Sequence, residues 1–309
     1  MRKLLTTVSL AIAVASAPAV MADATKGKLN SYEKLEDVFK GFKPHETLLV
    51  LDNDDTISTM PCVDEKNCQY LGGAAWFDWQ DHLIEKNDPN RVARDFGELL
   101  QISALIFNVS NMQYTEQRLP EKLQALTKSG VRLLVETARG TDNVDATSRQ
   151  FKNLKIDGSK YKNFKEFVLA NGLAFDGVKS LPSPVKPCGI NGSRPVTFQQ
   201  GAMYLAGQNK GVMLQCLLEQ YALQTDINMP IKNIVFIDDT PKNVENVYKA
   251  FKDNDAYNVR AFHYTAFDKH KKALTEGPRS EELQAKANER WEAIKTTLGD
   301  QLLMPAMPK

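Results

Sequence analysis

Two segments far apart in the chain share one design: a short apolar run that stops on crowded aspartates. The first is Leu48-Leu49-Val50-Leu51-Asp52-Asn53-Asp54-Asp55-Thr56, and the second is Ile234-Val235-Phe236-Ile237-Asp238-Asp239. A continuous apolar run marks a strand buried on both faces, the habit of parallel sheets covered by helices. Carboxylates packed this closely repel one another unless positive charge sits among them. A hard divalent cation such as magnesium takes oxygen ligands of this kind. In open α/β sheets, ligands bind just beyond the carboxyl ends of the strands. Either cluster alone reads as an acidic turn; two strands ending alike can converge on one cation.

The rest of the chain supplies the other parts of such a sheet. Leu119 to Ser129 predicts a helix stopped by Gly130. Val131 to Val135 is a third buried run and leads into Glu136-Thr137-Ala138-Arg139-Gly140. A helix starts near Asp142 and carries Val144, Ala146, Phe151 and Leu154. Asn209-Lys210-Gly211 opens another helix through Leu214, Leu217, Leu218 and Tyr221. After the Asp238 strand, Thr240-Pro241-Lys242-Asn243 starts a helix to Phe251, and Asn258 to Tyr264 is a last strand. Strand–helix alternation of this sort predicts βαβ units around a central parallel sheet, a Rossmann-like three-layer α/β sandwich.

The less patterned regions divide as follows. Residues 23–44 read as a lead-in with one short amphipathic helix (Leu35, Val38, Phe39), ended by Pro44. Residues 59–117 read as a mostly helical insertion over the sheet edge, with Trp76, Phe77 and Trp79 and then Phe96, Leu99, Leu100 and Ile106. Residues 157–208, frequent in Gly, Pro and Ser, predict loops and a β-ribbon, with short strands near Gly172–Phe175 and Ala202–Leu205. From Ser280 a charged helix presents Leu283, Ala287, Trp291 and Ile294 on one face, as a docked surface helix does. The expected organisation is a core from 23–58 and 118–275, the insertion 59–117, and a C-terminal helix and tail from 276.

The first 22 residues read as a secretory signal. Arg2 and Lys3 precede the apolar stretch Leu4 to Val14, and Val20-Met21-Ala22 offers a cleavage site after Ala22. The stretch is short for a membrane span. Cleavage takes the formal charge from +1 to −1. No basic tract argues for nucleic acid, and no later segment is apolar enough to span a bilayer. The mature protein is expected to be exported, either periplasmic or secreted. Export makes Cys62, Cys68, Cys188 and Cys216 disulfide candidates. Cys62 and Cys68 could close a small ring, but the sequence does not choose among the pairings.

Asp52-Asn53-Asp54-Asp55-Thr56, Thr137, Lys210 and Asp238-Asp239 come in the order and setting of the four motifs of the haloacid dehalogenase-like (HAD) phosphatase superfamily, which this chain resembles. The acid before Thr56 is similar to exported bacterial acid phosphatases of that superfamily. Together with Trp76-Phe77-Asp78-Trp79-Gln80, these motifs most resemble the bacterial family DUF2608, over nearly all of the mature chain. The resemblance implies a magnesium-dependent hydrolase of small phosphomonoesters with Asp52 as nucleophile and Asp54 as acid and base. It also implies that Thr137 and Lys210 bind phosphate. The metal would be held by Asp52, the Asp54 backbone carbonyl, Asp238 and Asp239. Asp55 and Thr56 would brace the loop, Asn243 would order Asp239 or Lys210, and Arg139 would touch substrate or form a surface salt bridge. The 59–117 insertion would be the cap. Phosphotransfer to an alcohol uses the same residues, and a catalytically idle binding protein is the alternative of another class. A dehalogenase would need no metal and leave Asp54 without a task.

Overall fold

The two aspartate-ended runs lie side by side in the middle of one sheet. The computed structural model describes residues 23–63, 68–158, 160–173, 180–181, 194–199, 201–224 and 230–302. In chain order the strands are β1 (Ala24–Leu29), β2 (Thr47–Leu51), β3 (Ser58–Thr59), β4 (Gln113–Tyr114), β5 (Arg132–Thr137), β6 (Ser180–Leu181), β7 (Thr197–Gln199), β8 (Ala202–Tyr204), β9 (Asn233–Asp238) and β10 (Asn258–Tyr264). The α-helices are α1 (Ala74–Glu85), α2 (Phe96–Val109), α3 (Leu119–Lys128), α4 (Val144–Asn153), α5 (Phe164–Asn171), α6 (Lys210–Gln224), α7 (Pro241–Phe251), α8 (Asp268–Thr275) and α9 (Ser280–Leu302).

The main sheet has the order β1-β10-β9-β2-β5-β8-β7-β6. Pairing is parallel from β1 across to β8, and antiparallel from β8 to β7 to β6. Alternation along β2 sorts its side chains to two faces. Leu49 and Leu51 pack with Leu35 and with α3, α4 and α5 through Leu123, Phe151 and Phe167. Leu48 and Val50 pack with α6 and α7 through Leu214, Leu217 and Val247. Helices therefore cover both faces of a mostly parallel sheet, the three-layer α/β arrangement.

The insertion leaves and returns through the antiparallel pair β3–β4. Its helices α1 and α2 form a third apolar cluster with Trp76, Trp79, Leu99 and Ile102. Leu274 of α8 and Leu283, Ala287 and Trp291 of α9 are buried in the same cluster. The C-terminal helix thus does dock by the face expected of it, and its partner is the insertion. Among the described residues no helix is long and apolar enough to cross a membrane.

Two expectations need correcting. Residues 24–29 form an edge strand along β10. Ala-Thr-Lys-Gly-Lys-Leu carries no apolar run because its residues, apart from buried Leu29, are partly or fully exposed. Helix α5 lies inside the region expected to be loop and ribbon, capped by Asn163, whose side chain accepts from Glu166 N. Its Asn-x-x-Glu start and the spacing of Phe164, Phe167 and Val168 are the sequence signals of this helix. The β7–β8 ribbon is present, and Gly172 bridges to Leu133. Residues 174–175 of that expected strand, the signal segment 1–22 and Cys188 lie outside the described residues. Cys62 and Cys68 are joined in a disulfide, and Cys216 is disulfide-bonded as well.

Candidate functional site

Parallel register sets the site. Leu51 lies level with Val135 on one side and Ile237 on the other. The next residues along, Asp52, Glu136 and Asp238, therefore end three adjacent strands in one row. Each follows, two residues on, a side chain packed toward α6 and α7: Val50, Leu134 and Phe236. The period-two alternation of strands turns the acids to that face. The amide of Asp52 donates to Ile237 O at 3.0 Å and holds the strand ends level.

Lys210, the first residue of α6, enters this row from above. Its side chain is 1% exposed, and Nζ donates to Asp52 Oδ1 at 2.5 Å, Asp238 Oδ2 at 2.6 Å and Glu136 O at 2.8 Å. An ammonium has three donors, and all three are used. Burial opposes the charge, but Asp238 and Asp52 outweigh it and hold the ammonium above its ordinary range. A lysine at a helix start works against the helix dipole; the two carboxylates supply the compensation. Gly211 follows for a packing reason. A Cβ there would come within 2.2 Å of Asn246 O of α7, so only glycine lets α6 approach closely enough.

One carboxylate oxygen each from Asp52, Asp238 and Asp239 lies within 4.8 Å of the others. Burial, then the neighbouring carboxylates Asp238 and Asp239, push Asp52 well above the usual carboxylate range against the pull of Lys210. Burial likewise pushes Asp239 up to about 7, with Lys271 opposing and Asp238 and Asp55 adding. This is the electrostatic state of a crowded acid set that a multivalent cation would relieve. Its donors are all hard oxygens, the kind magnesium takes. The Asp54 carboxylate is not part of the group.

Asp54 instead faces Arg139. The guanidinium grips it by two bonds, Nη2 to Oδ1 at 2.7 Å and Nε to Oδ2 at 2.9 Å. Arg139 also donates from Nη1 to Thr147 Oγ1 and Gln150 Oε1 and lies 4.0 Å from the centre of the Phe107 ring. Of the two expectations for Arg139, a substrate contact or a surface salt bridge, the second needs amending: the pair is real, and the arginine is buried. Thr137 is buried too, and its hydroxyl accepts from Arg139 N at 3.2 Å. The structure thus brings Asp52, Asp238, Asp239 and Lys210 into one cluster, and Asp54 and Thr137 into a second around Arg139.

The bracing residues act as a tight turn. Asn53 O accepts from the amides of Ile57 and Ser58, both at 2.9 Å. Asp55 adopts a φ of +56°, which a residue with a Cβ rarely takes; its carboxylate accepts from Thr59 Oγ1 at 2.7 Å. Thr56 Oγ1 accepts from Asp239 N at 3.0 Å and so pins the first loop to the last. Asn243 donates to both oxygens of Asp238, at 3.0 and 3.1 Å. It orders Asp238, where Asp239 or Lys210 was expected, because the first turn of α7 starts directly over β9.

Two titratable groups at the site carried no mark in the sequence. Glu136 is fully buried and neither carboxylate oxygen has a hydrogen-bond partner; burial, with Asp238 and Asp52, keeps its carboxyl well above the usual range against Lys210. Lys271 of α8 reaches Asp239 Oδ2 at 2.6 Å. It belongs to the charged run Asp268-Lys269-His270-Lys271-Lys272, from which no rule singles it out.

Residues 31–304 match the family described as Protein of unknown function (DUF2608). The chain belongs to that family. No curated protein matches it. The span matched in this DUF2608 chain includes every residue of the two clusters, the insertion and both C-terminal helices, and leaves out only β1 of the main sheet.

Proposed function

We propose that the protein is an exported, magnesium-dependent phosphomonoester hydrolase of the HAD superfamily that works through an aspartyl-phosphate. The observation that carries this reading is the convergence of Asp52, Asp238 and Asp239 within 4.8 Å, with Lys210 bonded to two of them. Two disulfide-bonded sites, Cys62–Cys68 and Cys216, agree with export, since disulfides persist in oxidising compartments.

In this reading Asp52, Asp238 and Asp239 would hold the cation with the Asp54 carbonyl, and the ion would supply positive charge to offset the repulsion between phosphate and a carboxylate nucleophile. A carboxylate oxygen of Asp52 attacks phosphorus and the bond to the ester oxygen breaks, leaving a phosphorylated Asp52. Asp54 gives its proton to the departing oxygen, then takes one from the water that attacks phosphorus and frees Asp52. In both steps one Asp54 oxygen exchanges the proton while the other keeps its bond to Arg139, which orients the carboxyl. Lys210 offsets the charge of Asp52 and of the transferred group, and Thr137 donates its hydroxyl to a phosphoryl oxygen. Asn243 and Thr240 keep Asp238 oriented, through bonds at 2.8 to 3.1 Å.

The test is direct. The purified mature chain, from residue 23, is assayed on an aryl phosphate with and without magnesium, beside Asp52→Asn. Turnover that needs magnesium and vanishes in the variant is expected. A protein that binds magnesium yet cleaves no phosphoester in a broad panel ends the proposal.

A further inference from the structure

The two lysines at the three-carboxylate cluster come from different parts of the fold. Lys210 belongs to the core helix α6. Lys271 belongs to α8, whose apolar side is buried with the insertion: Leu274 lies in one cluster with Trp76, Leu283 and Trp291. Polar contacts tie α8 the same way. Tyr70 Oη donates to His270 O at 3.2 Å, and the Tyr70 and His270 rings stack with centroids 4.6 Å apart. Gln284 of α9 donates to Leu274 O at 2.9 Å. Two contacts link this helix to the strand-end acids: Lys271 on the Asp239 carboxylate, and Asp268 by way of His263, whose Nε2 lies 3.5 Å from Asp268 Oδ1 and 3.1 Å from Asp239 O.

Its contact competes with a cation for the charge of Asp239. The ammonium sits on Asp239 Oδ2 at 2.6 Å, while Oδ1 faces the hydroxyls of Thr56 and Thr240 at 3.5 Å. An ammonium this close repels a cation arriving at the same carboxylate and already supplies the charge that the cation would bring. The lysine is also placed to let go. Its side chain is 21% exposed, against 1% for Lys210. Asp55 and Asp78 also act on its charge from the loop and from α1, so it has acidic neighbours to move toward.

We propose that Lys271 is a tethered stand-in for the metal charge at Asp239: it straps α8 to the core when the cluster holds no divalent cation, and cation binding at Asp239 releases it. The proposal rests on the metal-dependent reading above, and it makes the C-terminal helices part of the site's opening and closing. Lys271 acts here as a positioning residue, through Asp239.

Two measurements on the mature chain, stripped with chelator and free of any phosphoester, test it. Calorimetric titration with magnesium compares wild type, Lys271→Met and Lys271→Arg. Removing the competing charge is expected to tighten binding at least about tenfold in Lys271→Met, while Lys271→Arg, which keeps the charge, stays close to wild type. Hydrogen exchange in wild type needs no variant: magnesium is expected to speed exchange over residues 268–275. Equal or weaker binding by Lys271→Met, a matching gain in Lys271→Arg, or unchanged exchange in wild type overturns the strap. The strap falls alone if wild type binds magnesium and Lys271→Met binds no tighter. If neither protein binds magnesium, the metal-dependent hydrolase falls with it.

Discussion

Lys210 and Lys271 make nearly the same bond, an ammonium 2.5 to 2.6 Å from a carboxylate of one cluster. Their surroundings make them different devices. Lys210 is fully enclosed, spends all three donors, and is fixed by the close approach of α6 to α7 at Gly211. Lys271 bonds Asp239 at 2.6 Å from a partly exposed side chain on a helix packed against the insertion. Breaking a buried pair strands a charge, whereas a partly exposed pair trades protein contact for water. The comparison teaches that position, more than bond length, separates a permanent counter-ion from a releasable one.

The sharpest way to break that contrast is to neutralise each lysine and measure stability by chemical denaturation without metal. Lys210→Met leaves Asp52 and Asp238 buried and unpaired, and is expected to cost about 3–5 kcal/mol. Lys271→Met also strands a buried carboxylate, but only one, and from a partly exposed lysine, so it should cost less, about 1–3 kcal/mol. Equal losses would erase the distinction. Next in size is the fork on Asp54. Arg139→Met frees that carboxylate and leaves Thr147 and Gln150 without their donor; turnover of an aryl phosphate is expected to fall roughly 10²-fold with KM little changed. Arg139→Lys, lacking the fork, should recover only part of it. A full recovery would mean that charge alone, not geometry, matters at Asp54.

Gly211→Ala probes the same permanence through packing. The new Cβ would meet Asn246 O at 2.2 Å, so α6 must shift, at an expected cost of about 1–3 kcal/mol, and Lys210 shifts with it. An unchanged melting temperature would show that the helix crossing does not hold the lysine. The smallest effect concerns the releasable side. Burial lowers His270 to about 4 from its usual 6.5, so the unfolded chain binds a proton between those values that the folded chain does not. Stability contributed by neutral His270 is therefore complete above about 6.5 and lost as pH falls toward about 4. The melting temperature of His270→Phe should fall less steeply over that window; identical slopes would remove His270 from the docking of α8.

Much of this was legible before any coordinates. The runs Leu48–Leu51, Val131–Val135 and Ile234–Ile237 announced buried parallel strands because residues covered on both faces have no polar face to show. β1 was not legible, since an edge strand with exposed lysines lacks that signature. The ring of Cys62 and Cys68 was open to suspicion from spacing, but not its choice over other pairings. Arg139 was visible as a residue and ambiguous as a role, because a guanidinium looks the same in sequence whether it faces solvent or a buried carboxylate.

Local chemistry thus determined where the strands end and which acids end them, because both facts are written in consecutive residues. Tertiary structure decided which cation meets which acid. Glu136 became a neighbour of Lys210 through strand register, Asn243 came to Asp238 through the start of α7, and Lys271 reached Asp239 by a helix that packs on the insertion. Such contacts join side chains whose separation in sequence bears no relation to their distance in space, and only a folded chain fixes that distance.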